Sequence, residues 1–146
     1  MRAATLSPVA SGAAVTELAR ARAALAEAHE ASDHLLRFSA AHVAALRVAA
    51  AVLAVRARPA KPSGRRPQRN AWVLLAQVAP ELGEWATLFA AGAPKRAAAE
   101  AGLSRAVTER EADDLVREAE AFCELVESLL GLGQQPALTE TWRHAS

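Results

Sequence analysis

Arg37 and His42 stand five positions apart in the stretch RFSAAHVAALRVAAAVLA, residues 37–54. A guanidinium holds a phosphate with its planar fork of donors, and an imidazole exchanges protons near neutral pH. Together the two groups could hold a phosphate and exchange a proton beside it. The same spacing also arises in a buried helix, so the direction of each side chain decides. Successive helical residues advance by about 100°, which places Leu35, Phe38, Leu46, Ala49 and Leu53 within about 40° of His42. Arg37 lies about 140° away, on the side shared with Arg47 and Arg58. The expectation is an inward-facing His42 bonded to a polar neighbour, with the arginines on the wet side. A productive pair would need a distorted first turn or a second subunit.

Other reactive groups are sparse. His29, Asp33 and His34 flank a helix junction, but no thiolate and no E-x-x-H pair accompanies them, so no metal site and no cofactor is expected. Asp113 and Asp114 sit in the first turns of an acidic helix, where carboxylates suit the positive end of the helix dipole and aid solubility. There is no glycine-rich phosphate loop, no G-x-S-x-G elbow and no Cys-His pairing. The run from Arg56 to Arg69 carries Arg56, Arg58, Lys61, Arg65, Arg66 and Arg69 without an acid, an electrostatic footprint for nucleic acid. It holds no aromatic to stack on a base, which argues against sequence-selective recognition by that run.

The elements that must position these groups are all helical. Val15, Leu18, Ala21, Ala24 or Leu25, and Ala28 recur at helical spacing and predict a first helix over residues 13–31. Ser32 or Asp33 caps a second helix that runs to about Arg58, where Pro59 and Pro62 stop it. KPSGRRPQRN reads as a linker. Asn70 caps a third helix with Trp72, Leu75 and Val78, which ends near Pro80. The next segment is apolar at Leu82, Trp85 and Phe89. It is predicted to break at Gly92 and Pro94 before a short helical turn that Gly102 terminates. Thr108 and Glu111 form a T-x-x-E capping box. Behind it Ala112, Leu115, Val116, Ala119, Phe122, Cys123, Val126, Leu129 and Leu130 make an apolar stripe, with Glu109, Asp113, Glu120 and Glu127 on the other faces. The organisation expected is a flexible N-terminus over 1–12, one helical domain over 13–131 with a basic linker at 59–69, and a flexible tail over 132–146.

At 146 residues the chain has room for one core, not two. A lone Cys123 cannot form an internal disulfide, which points to a reducing, cytoplasmic setting. The N-terminal MRAATLSPVASGAAV lacks the leucine-rich core of a secretory signal. The longest apolar stretch, Ala40 to Val55, carries His42 and Arg47 and falls short of a clean membrane span, so no membrane association is expected. Charge is uneven: residues 1–70 hold eleven Arg or Lys against four acids, and the remainder six against twelve. Such asymmetry can steer a polyanion to one region, or let the chain pair with itself.

RFSAAHVAALRVAAAVLA resembles the second helix of the HEPN (higher eukaryotes and prokaryotes nucleotide-binding) superfamily. KRAAAEAGLSRAVTEREADDLVREAEAFCELVESLL resembles its ending: an arginine-containing turn, a variable loop and a capped acidic helix. The resemblance covers roughly residues 15–130, is carried by helix order and pattern, and is greatest to an actinobacterial branch. It implies an all-α, four- to five-helix up-and-down bundle that commonly dimerises and, in active members, a metal-independent ribonuclease. Active members place a histidine four to six residues after an arginine near the dimer interface. The arginine that corresponds best is Arg96, and AAAEAG follows it without a histidine. Carried instead to the second helix, the chemistry would have His42 exchange the 2′-hydroxyl proton while Arg37 stabilises the phosphorane charge.

The reading favoured on sequence is a non-catalytic HEPN-like helical module that acts as a homodimer and binds RNA or a protein partner. The alternatives are a toxin- or defence-like ribonuclease using Arg37 and His42 across a dimer, and a structural adaptor without nucleic-acid binding.

Overall fold

The structure, a computed structural model, describes residues 8–57 and 70–132. The first seven residues, the expected linker and the expected tail beyond Leu132 lie outside them. Among the described residues the chain forms five helices and one 3-10 turn, with no strand. They are α1 (Pro8–Glu30), α2 (His34–Arg56), α3 (Ala71–Val78), the 3-10 turn Pro80–Leu82, α4 (Gly83–Glu100) and α5 (Glu109–Leu129). This is the all-α bundle expected.

α2 is the central element and packs against each of the other four helices. Asp33 starts it by accepting a hydrogen bond from the Leu35 backbone N–H at 2.8 Å. Ala41, Ala44, Ala45, Ala49 and Ala51 of α2 are all fully buried. Their short side chains allow the neighbouring backbones to come near the lower end of the usual interaxial range of about 8–10 Å. α2 is also long and apolar enough to cross a membrane by length and composition alone. Half of its most apolar window is buried against the rest of the fold, as in the core helix of a bundle.

α1 begins at Pro8, earlier than the expected Ala13, and proline suits the first helical position because its missing N–H would have no intrahelical partner there. Its inner line is Ala14, Leu18, Ala21, Leu25 and Ala28. Val15, expected inside, is 51% exposed. Positions 14 and 15 are four and three residues before Leu18, so both satisfy helical spacing, and packing against α2 selects the smaller side chain.

The expected break at Gly92 and Pro94 does not occur: α4 runs unbroken from Gly83 to Glu100 with Pro94 inside it. Pro94 is exposed, where a carbonyl deprived of its usual donor can be hydrated. Gly92 serves packing rather than turning. A Cβ there would come within 3.3 Å of the His42 ring and 3.6 Å of Phe38. The true ending is at Gly102, whose φ of 82° permits the bonds Gly102 N–H to Ala99 O and Leu103 N–H to Ala98 O.

α5 starts as its sequence dictates. The Thr108 hydroxyl accepts from the Glu111 N–H at 3.0 Å, and the Glu111 carboxylate accepts from the Thr108 N–H at 2.9 Å. Its core side joins an aromatic stack: Phe122 meets Trp85 at 5.3 Å and Phe89 at 5.1 Å between ring centroids, and Phe89 in turn meets Trp72 at 5.4 Å. Thr108→Ala removes one half of the reciprocal cap. It should lower stability by about 1 kcal/mol, read as a reduced urea midpoint at unchanged m-value.

Candidate functional site

Five residues along one helix cannot aim two side chains at the same point, and α2 obeys that rule. His42 is 1% exposed and sits between α2 and α4, with Nε2 2.9 Å from the Phe89 carbonyl oxygen. Because a carbonyl can only accept, Nε2 carries the proton and donates, which leaves Nδ1 as a bare lone pair. Nδ1 is buried and has no hydrogen-bond partner. Burial lowers the basicity of His42; the Phe89 bond opposes this, the charge of Arg96 adds to it and Glu100 opposes it. The imidazole is therefore neutral at pH 7, inward-facing as expected.

Arg37 corrects the expectation that the arginines occupy the wet side. Its side chain is only 16% exposed. It donates to the Ala31 carbonyl from Nε at 3.3 Å and Nη2 at 3.1 Å, to the Ser32 carbonyl at 3.2 Å, and to Asp113 Oδ1 at 2.9 Å. Arg37 thus ties the carbonyls at the end of α1 to the first turns of α5. Asp113, expected to serve capping and solubility, is its partner. These groups line an open cleft of about 430 Å³, together with His29, Arg117 and Glu120. His29 meets Glu120 at 2.5 Å and Arg117 meets Asp114, so basic and acidic side chains are already matched along it.

Among the described residues the uneven charge is partly matched within the fold. Bases of the first half pair with acids of the second: Arg22 with Glu127, His29 with Glu120, Arg37 with Asp113 and Arg56 with Glu81. Arg47 pairs with Glu17 at 3.4 Å. Glu127, expected on an outer face, is 7% exposed and accepts a bidentate pair from Arg22 at 2.6 and 3.1 Å. Cys123 lies beside it, its thiol pushed up to about 11 chiefly by burial. Sequence reading missed Arg22. The available signal was its position one residue after Ala21 of the buried line, at the edge of the helix that faces α5.

Of the other residues singled out, Arg96 is brought near His42, close enough for its charge to act on the ring. Its guanidinium stands 3.6 Å from Glu100, which also accepts from Ser39 at 2.8 Å. Asp33 is spent as the α2 cap. Arg58, Lys61, Arg65, Arg66 and Arg69 lie outside the described residues. Arg37 and His42 are not brought together.

Residues 28–127 match the family of SAV_6107-like HEPN proteins, which covers more than half of the chain. The chain belongs to this HEPN family. No curated protein and no solved structure matches it. The matched span runs from the end of α1 through nearly all of α5, so it includes Arg37, His42 and Arg96. In this HEPN domain Arg96 is followed one turn later by Glu100, a carboxylate that neutralises it. Arg37→Ala should destabilise the fold by about 1.5–3 kcal/mol, the range for hydrogen bonds to charged groups, measured by urea denaturation.

Proposed function

We propose that this HEPN domain is a non-catalytic binding module whose ligand is a protein partner. The observation that carries the first half of this reading is the divergence of Arg37 and His42. The imidazole is buried with its proton committed to the Phe89 carbonyl, and the guanidinium is committed to Ala31, Ser32 and Asp113. A general base must reach the proton it abstracts, and no such approach exists at His42.

The choice of a protein ligand rests on charge and on exposed hydrocarbon. Arg22, Arg37, Arg47, Arg56, Lys95, Arg96 and Arg117 each have a carboxylate partner, which leaves little unmatched positive charge for a polyanion on the described surface. A groove of about 420 Å³ between α1 and α2 is lined by Leu36, Ala40 and Val43 and edged by Glu27 and Glu30. Leu36 is 62% exposed. An apolar floor with acidic edges suits a peptide segment bearing apolar and basic side chains. RNA is the second reading, favoured by the acid-free basic run from Arg56 to Arg69.

Two measurements test these readings. Purified protein incubated with labelled RNA and no added metal should leave the RNA intact; cleavage that His42→Ala abolishes would overturn the non-catalytic reading. In gel-shift titrations RNA binding should be weak and vanish at modest salt. Tight binding that persists at physiological salt and is lost when Arg65, Arg66 and Arg69 are replaced by alanine would make RNA the ligand.

A further inference from the structure

We infer that His42 is an acid-sensitive latch between α2 and α4, holding the second half of α4 in place only while its imidazole is neutral. The latch stands apart from the ligand proposed above and does not depend on it.

Three geometric facts carry it. The ring is already committed on one side, because Nε2–H donates to the Phe89 carbonyl at 2.9 Å. The other nitrogen, Nδ1, is buried without a partner. The α4 backbone presses on the ring at Gly92, where even a Cβ would come within 3.3 Å of Cδ2. Acidification can add a proton only at Nδ1, which would create a buried N–H with no acceptor and a buried positive charge with no room beside it.

The neighbouring charges leave this unfavourable. Among the described residues the charges that act on the imidazole are Arg96 and Glu100, both on α4; α1, α3 and α5 contribute none. α3 offers the edge-on ring of Trp72, its centroid 6.1 Å from that of His42. Arg96 repels the imidazolium. Glu100 attracts it but is engaged by Arg96 at 3.6 Å and by Ser39 at 2.8 Å. The inexpensive response is for α4 to move and admit water. Pro94, inside α4, has no N–H to donate to the preceding turn, so the helix is weakest between Gly92, which touches the ring, and the segment carrying Arg96 and Glu100.

The sign follows from linkage. The closed state holds His42 below its ordinary value near 6.5, and an opened state restores that value. Closure is therefore at full strength above about pH 6.5 and weakens as pH falls below it. The open population at pH 5.5 can therefore exceed that at pH 7.5 by up to about tenfold, the limit for a histidine that stays neutral when closed.

Amide hydrogen exchange on the full chain, corrected for the intrinsic rate at each pH, tests this. Amides of α4 from Gly92 to Glu100 should exchange through an opening of lower free energy than the one that exposes α5. That opening should grow from pH 7.5 to 5.5, by up to about tenfold. His42→Gln keeps a donor for the Phe89 carbonyl and cannot be protonated, so its corrected exchange should be flat over this range. Arg96→Gln removes the repelling charge, so the closed state tolerates the imidazolium better; the growth in opening should become smaller while its onset stays near pH 6.5. If α4 amides exchange at the same free energy as those of α5, or if His42→Gln keeps the wild-type pH response, the latch does not exist. Should His42→Gln fail to fold, the wild-type comparison of α4 with α5 and the reduced pH response of Arg96→Gln decide the matter by themselves.

Discussion

Close packing around α2 constrains the rest of the molecule. Its fully buried alanines bring four helices against one, and at such short distances there is little slack for a side chain that points the wrong way. Every polar group facing α2 must then find a partner supplied by a neighbour. His42 finds half of what it needs, in the Phe89 carbonyl, and leaves Nδ1 unmatched. Gly92 exists in that context as the only side-chain-free position that lets α4 lie across the ring.

Around this apolar centre the ends of the helices are joined by charge. Arg37 binds the carbonyls that end α1 and reaches Asp113 on α5, while Arg22 holds Glu127 further along α5 and Arg56 holds Glu81 beside the 3-10 turn. Among the described residues, bases of the first half thereby meet acids of the second. Most of these pairs are partly exposed and add modest stability each. They also turn the guanidinium groups of Arg22, Arg37 and Arg56 toward carboxylates of the same chain.

The HEPN domain thus keeps the residue types of a metal-free nuclease without their convergence. The imidazole belongs to the α2–α4 contact, the Arg37 guanidinium to the junction of α1, α2 and α5, and Arg96 to Glu100.

Helix starts were legible because capping is local. Asp33, Asn70 and the Thr108–Glu111 box each act within three residues, and each caps the helix it was expected to cap. The inward direction of His42 was legible for a similar reason, since helical periodicity alone fixes it. Gly92 and Pro94 misled because their usual effect is local whereas their role here is set by α2, which lies far away in sequence. Val15 and Glu127 misled because periodicity defines a stripe only to within one residue at its edges, and the choice belongs to the neighbouring helix. The amino-acid order by itself determined an all-helical chain, its caps and the facing of its central histidine, which are properties of single helices. Only tertiary packing decided which charge meets which, because ion pairs such as Arg22–Glu127 and Arg37–Asp113 join residues that no local rule connects.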